Sequence, residues 1–127
     1  MEFHSRPLDG LLLAAPTGRI DHAAAGALEG ALLPLLDVPE ASERAVVLDL
    51  SGVDYISSVG LRVLMLAAKR MRALGQPIGV AALQPVVAEI FAISRFDKVL
   101  NVFGSTREAI QAMKPSALAE FDAARLA

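Results

Sequence analysis

Ala45-Val46-Val47-Leu48-Asp49-Leu50 leads, after a short gap, into Ser57-Ser58-Val59-Gly60-Leu61-Arg62-Val63-Leu64-Met65-Leu66-Ala67-Ala68-Lys69-Arg70-Met71-Arg72-Ala73-Leu74-Gly75. The first run is short, apolar and carries adjacent β-branched residues, the pattern of a strand covered on both faces. The second reads as a helix over 58–74, with basic residues towards its end and Gly75 as its stop. Two hydroxyls, Ser57 and Ser58, therefore sit where a buried strand hands over to a helix. A serine there can cap free backbone N–H groups. It can equally carry a phosphate, because the same N–H groups and the helix dipole favour an anion. Position alone leaves both readings open.

Working outward, residues 1–8 are expected to form a first strand, and Asp9-Gly10 is a tight-turn signature before Leu11-Leu12-Leu13-Ala14-Ala15. Pro16-Thr17-Gly18 is expected to break that second strand. Asp21 is a suitable N-cap for an alanine-rich helix over about 22–36, with Pro34 fraying its end. Residues 37–44 read as a polar loop. Ile78-Gly79-Val80-Ala81-Ala82 is another buried strand, and Gln84-Pro85 opens a helix whose Val86, Val87, Ile90, Phe91 and Ile93 fit one broad apolar face. Residues 99–103 form the last strand, and Ser105 caps a helix over 106–113. Residues 116–127 look like a short amphipathic tail, set apart by Pro115 and dispensable for the fold, with Leu118 and Phe121 on one side. The resulting order, β-β-α-β-α-β-α-β-α, predicts an α/β fold, a mixed sheet with helices packed on it.

The chain has 127 residues, enough for one domain to bury a core without disulfides or metal. Hydrophobic residues make up 54% of it, and the mean hydropathy is +0.50. Much of that is alanine, which suits tight packing; an apolar docking patch would read the same way. Twelve basic against 14 acidic side chains, a net charge of −2 and no basic block argue against nucleic-acid binding. Cysteine is absent, which removes thiol nucleophiles and thiolate metal sites. Residues 11–15 are too short for a signal-peptide core, and no stretch approaches a membrane span, so the protein is read as cytoplasmic, with no membrane association.

Catalytic patterns are missing. His4 and His22 are the only histidines, and neither belongs to a metal-ligand spacing. There is no Gly-x-Ser-x-Gly elbow and no phosphate-cradling glycine loop. Asp49 and Asp54 flank Leu50-Ser51-Gly52-Val53, but an aspartyl-phosphate receiver needs further acids that residues 11–15 do not supply. Asp54 is read instead as a turn residue, with Ser51-Gly52 as the bend. A nucleophilic serine needs a base within reach, and none is in view for Ser58. The expectation is a protein that is not an enzyme and uses no metal or cofactor.

The run Val46-Val47-Leu48-Asp49-Leu50-Ser51-Gly52-Val53-Asp54-Tyr55-Ile56-Ser57-Ser58-Val59-Gly60-Leu61-Arg62-Val63-Leu64 resembles the signature of the anti-sigma factor antagonists, the family built on the STAS domain. The element order over 1–113 resembles theirs too. The resemblance implies a STAS-like mixed sheet over 1–113, followed by a helical tail over 114–127. It also implies a partner, an anti-sigma factor that is itself a serine kinase. That kinase would phosphorylate one serine at the helix start and so end the binding, and a serine phosphatase would reset it. The acceptor falls on Ser58. Many members carry Asp where this chain has Ser57, and Ser or Ala where it has Val59, so Ser57 is the alternative acceptor. Ser57, Val59, Gly60, Arg62, Leu66 and Lys69 are the expected partner-binding residues. The last three recur at helical spacing away from Leu61, Leu64, Met65 and Ala68, a face whose other reading is plain solvation. Tyr55 and Ile56 are either an apolar lip of the site or core, with Ile56 read as core. Some STAS domains act instead as unphosphorylated scaffolds or hold a small ligand, and that is the alternative function. A monomer or weak dimer is expected.

Overall fold

The structure is a computed structural model that describes residues 1–126; residue 127, the last of the expected tail, lies outside them. Strands β1 (Glu2–Leu8) and β2 (Leu11–Ile20) form an antiparallel hairpin in which Leu8 faces Leu11. Gly10 closes the turn at φ +67°, a conformation that costs glycine nothing. Pro16-Thr17-Gly18 does not break β2. The strand's first half, Leu11 to Ala14, pairs with β3 (Ala45–Asp49), and its second half, from Gly18 to Ile20, pairs with β4 (Val53–Ile56). Pro16 lies between these ladders, where no partner strand asks for an N–H. Two residues on, Gly18 N–H donates to the Gly52 carbonyl at 2.8 Å and starts the second ladder.

The sheet runs β1-β2-β3-β5-β6, with β5 (Ile78–Ala81) and β6 (Asn101–Phe103) parallel to β3. The expected strand and helix order is found, with β4 added to it. Asp54 is therefore an exposed strand residue and not part of the bend. The bend is Ser51–Gly52, where the Asp49 carboxylate accepts the Ser51 N–H at 3.0 Å. β6 is shorter than expected because residues Phe96–Lys98 form a 3-10 turn ahead of it.

Helix α1 (His22–Leu32) starts on Asp21, whose carboxylate accepts the Ala24 N–H at 2.8 Å. Pro34 does not fray the end but tightens it into a 3-10 turn, Leu33–Leu36. A second such turn, Pro39–Glu43, organises the expected loop and buries Ala41. α2 (Ser58–Ala73) and α3 (Pro85–Ile93) follow, and with α1 they cover one sheet face. α4 (Thr106–Met113), capped by Ser105 through the Glu108 N–H at 3.1 Å, and α5 (Leu118–Leu126) lie on the other. β3 shows why both faces are apolar: Val46 and Leu48 join the first core, Ala45 and Val47 the second.

Two expectations change here. Pro115 does not set the tail apart: Ala117 is fully buried and Phe121 only 8% exposed, packed with Leu8, Leu11, Ala109 and Ile110. Glu120 also accepts the Asp9 N–H at 2.9 Å, and Arg107 pairs with Asp122 at 3.1 Å. In α3, Val87 and Phe91 are buried, but Val86 is 53% and Ile93 76% exposed. Positions 86 and 93 stand seven apart, so they share a second stripe that the sheet does not cover.

Candidate functional site at the start of helix α2

The site is built by the chain leaving β4. Ile56 is buried, as expected. Ser57 follows in extended backbone (φ −81°, ψ 169°), and its N–H donates to the Ile20 carbonyl at 2.8 Å. Its hydroxyl accepts the Gly60 N–H at 3.1 Å, and its carbonyl accepts the Leu61 N–H at 2.9 Å. Ser57 is thus the N-cap of α2, with its N–H, its carbonyl and its hydroxyl oxygen all engaged. Ser58, the first helical residue, is exposed, and its hydroxyl has no hydrogen bond among the described residues. The capping role and the free hydroxyl fall on different serines.

Gly60 is buried. A Cβ there would lie 2.7 Å from Ile56 Cγ1 and 2.9 Å from Ile20 Cγ2, so the glycine lets α2 settle onto β2 and β4 and offers no side chain outward. Val59 and Leu66 are half-buried, while Arg62 and Lys69 are exposed. Arg62 is one helical turn from Ser58; Lys69 lies about 16 Å farther along the axis than Ser58. The junction therefore gathers Ser57, Ser58, Val59 and Arg62, and leaves Lys69 towards the far end.

Beside Ser58 runs a groove of about 400 Å³ lined by Tyr55, Ile56, Ser58, Leu61, Ile90, Ile93 and Ser94. Its walls are mainly hydrocarbon, and the exposed Ile93 stands on its rim. Tyr55 is the lip that the sequence allowed, and the Arg19 guanidinium lies over its ring at 4.0 Å. Ile90 and Ile93, which the sequence assigns to one broad apolar helix face, and Ser94 and Arg19, which it does not single out, join the site here. The one available signal was that Ile93 repeats Val86 at seven residues and so falls off the core stripe.

The other candidates stay apart. His4 lies 3.6 Å from Glu2 at the exposed edge strand, and His22 is exposed at the start of α1. Asp49 is taken up by its turn. Among the described residues no group of three His, Cys, Asp or Glu side chains could hold a metal ion, and no helix is long and apolar enough to cross a membrane. A second cavity, of about 420 Å³, lies at the opposite end of α2 between Arg72, Gln76, Ile78 and Asn101, away from Ser58.

Comparison with known proteins adds four findings. The family model described as Mlab, STAS domain matches residues 15–102. A protein of Bordetella bronchiseptica, provisionally named anti-sigma factor antagonist BtrV, is 41% identical over 107 residues, spanning 84% of this chain and 90% of its own. The anti-sigma-F factor antagonist RsfB of Mycobacterium tuberculosis is 29% identical over 84% of each chain. Among solved structures, an anti-sigma factor antagonist from Mycobacterium paratuberculosis superposes with a TM-score of 0.79 at 26% identity, covering 89% of this chain and 93% of that one.

Proposed function

The chain belongs to the STAS domain family, and from that premise we propose that it is an anti-sigma factor antagonist switched off by phosphorylation of Ser58. Its partner is an anti-sigma factor with serine kinase activity, and a serine phosphatase restores the free form. The observation that carries this reading is the unbonded Ser58 hydroxyl on the wall of an apolar groove, beside a Ser57 hydroxyl already committed to the cap. Modifying Ser57 would replace the hydroxyl that receives the Gly60 N–H; modifying Ser58 leaves that cap as it is.

Unmodified, Ser58 is small and neutral, and an apolar partner segment can pack along Tyr55, Leu61 and Ile93. A phosphate adds about −1.5 to −2 charges at neutral pH. The fold tolerates it at an exposed helix start, but a partner that buries this wall does not. Desolvating an unpaired dianion costs several kcal/mol, which corresponds to about a thousandfold or more in affinity. A kinase needs no base from the protein it modifies, consistent with the absence of one beside Ser58. Val59, Arg62, Leu66 and Lys69 extend the contact surface along α2, with Gly60 contributing through packing alone.

The test is incubation with the cognate anti-sigma factor kinase and ATP, followed by phosphopeptide mass spectrometry. Phosphate on Ser58 is the expected result. Ser58→Ala should capture the anti-sigma factor with or without ATP, and Ser58→Asp should fold and capture it poorly. Phosphate on Ser57 with Ser58 unmodified would overturn the assignment. Phosphate on neither residue would point to a scaffold or ligand-binding STAS domain.

A further inference from the structure

Arg62 is exposed and forms no ion pair or hydrogen bond among the described residues. Arg70, on the same helix, shows the contrast: its guanidinium contacts both carboxylate oxygens of Asp37 at 2.7 Å. The helical neighbours of Arg62 at three and four residues are Ser58, Val59, Met65 and Leu66, so no acid on α2 competes for it. Residues four apart on a helix are surface neighbours, with Cβ atoms about 5–6 Å apart. Helical side chains also slant towards the N-terminus, which carries a long side chain at 62 back over residue 58.

We propose that Arg62 is the built-in counter-ion for a phosphate on Ser58, its guanidinium fork closing on two phosphate oxygens once the group is attached. The inference rests on the Ser58 reading and adds a second consequence to it. Before phosphorylation Arg62 is a free cation on the partner-facing side of α2. Afterwards it is held by the phosphate, and the pair changes from +1 to about −1. One modification thus places an anion on the groove wall and withdraws a cation from the surface beside it. A planar five-donor fork suits this role better than an ammonium, since it meets two oxygens at once.

The experiment installs phosphoserine at position 58 during translation, by suppression of an amber codon, so that no kinase is required. Phosphorus-31 NMR then follows the second ionisation of the phosphate in the parent chain and in Arg62→Gln, Arg62→Lys and Lys69→Gln. A nearby cation favours the dianion, so Arg62→Gln should raise the ionisation midpoint by about 0.15–0.4 pH units. Arg62→Lys should keep part of the effect, Lys69→Gln should leave the midpoint where it was, and 1 M NaCl should narrow the difference. Identical titrations of the parent and Arg62→Gln overturn the pairing and leave Ser58 standing as the acceptor. Kinase-borne phosphate found on Ser57 instead would overturn the regulatory reading, while the titration still reports whether Arg62 and a phosphate at 58 pair.

Discussion

Gly60 lies so close beneath Ile56 that a methyl group on it would come within 2.7 Å of Ile56 Cγ1. Both Ile56 and Ile20, the second neighbour, are at most 2% exposed and have no room to retreat. Gly60→Ala should therefore destabilise the protein by about 1–3 kcal/mol despite the helix preference for alanine. Urea denaturation measures this, and an unchanged midpoint would show that α2 can lift without loss.

The two adjacent serines should separate cleanly in stability. Ser57→Ala removes the hydroxyl that receives the Gly60 N–H and should cost about 1 kcal/mol. Ser58→Ala removes a hydroxyl without a partner and should stay within about 0.5 kcal/mol of the parent. Equal losses in the two variants would contradict the division of roles.

Phe121 is expected to matter for folding. Phe121→Ala should lower stability by about 3–5 kcal/mol, the range for emptying a buried aromatic site. Truncation after Lys114 should do at least as much, since it also uncovers Leu8 and Leu11. A truncated chain with the parental melting temperature would sink this expectation.

Ile93 should behave in the opposite way. At 76% exposure it contributes little to the core, so Ile93→Ser should change stability by less than about 0.5 kcal/mol. The same variant should weaken capture of the anti-sigma partner, read in a pull-down or by calorimetry, because it stands on the rim of the groove beside Ser58.

Ala82 holds φ +60° just after β5, a left-handed conformation that penalises a Cβ. Ala82→Gly should raise stability by about 0.5–1 kcal/mol, the relief being partly offset by the greater freedom of glycine when unfolded. A lower denaturation midpoint would be the contrary result.

What could be read from the amino acids follows from how local each signal is. The Ala45-to-Gly75 stretch contains its own apolar run, turn and helix period, and its strand, its bend and its helix lie where those signals put them. β4 was missed because Val53-Asp54-Tyr55-Ile56 does not alternate cleanly: its ends are buried and its middle faces outward, a pattern set by a partner strand far away in sequence. Pro16 misled for a related reason, since nothing local reveals that β2 changes partners at that point. The groove was invisible for want of any motif. It arises where β4, α2 and α3 meet, and only the split of α3 into a buried stripe through Phe91 and an exposed one through Ile93 marks it.

Among the described residues β4 has β2 as its sole strand partner, and the Ser57 amide is held by the carbonyl of Ile20. The ledge that displays Ser58 therefore comes into being only when two stretches distant in sequence have met. Pairings of that kind form late compared with local helices. A nascent or partly opened chain carries the same serine on a slack segment with no groove alongside. On the reading proposed for Ser58, a chain whose sheet is unfinished has no assembled wall against which to seize its partner.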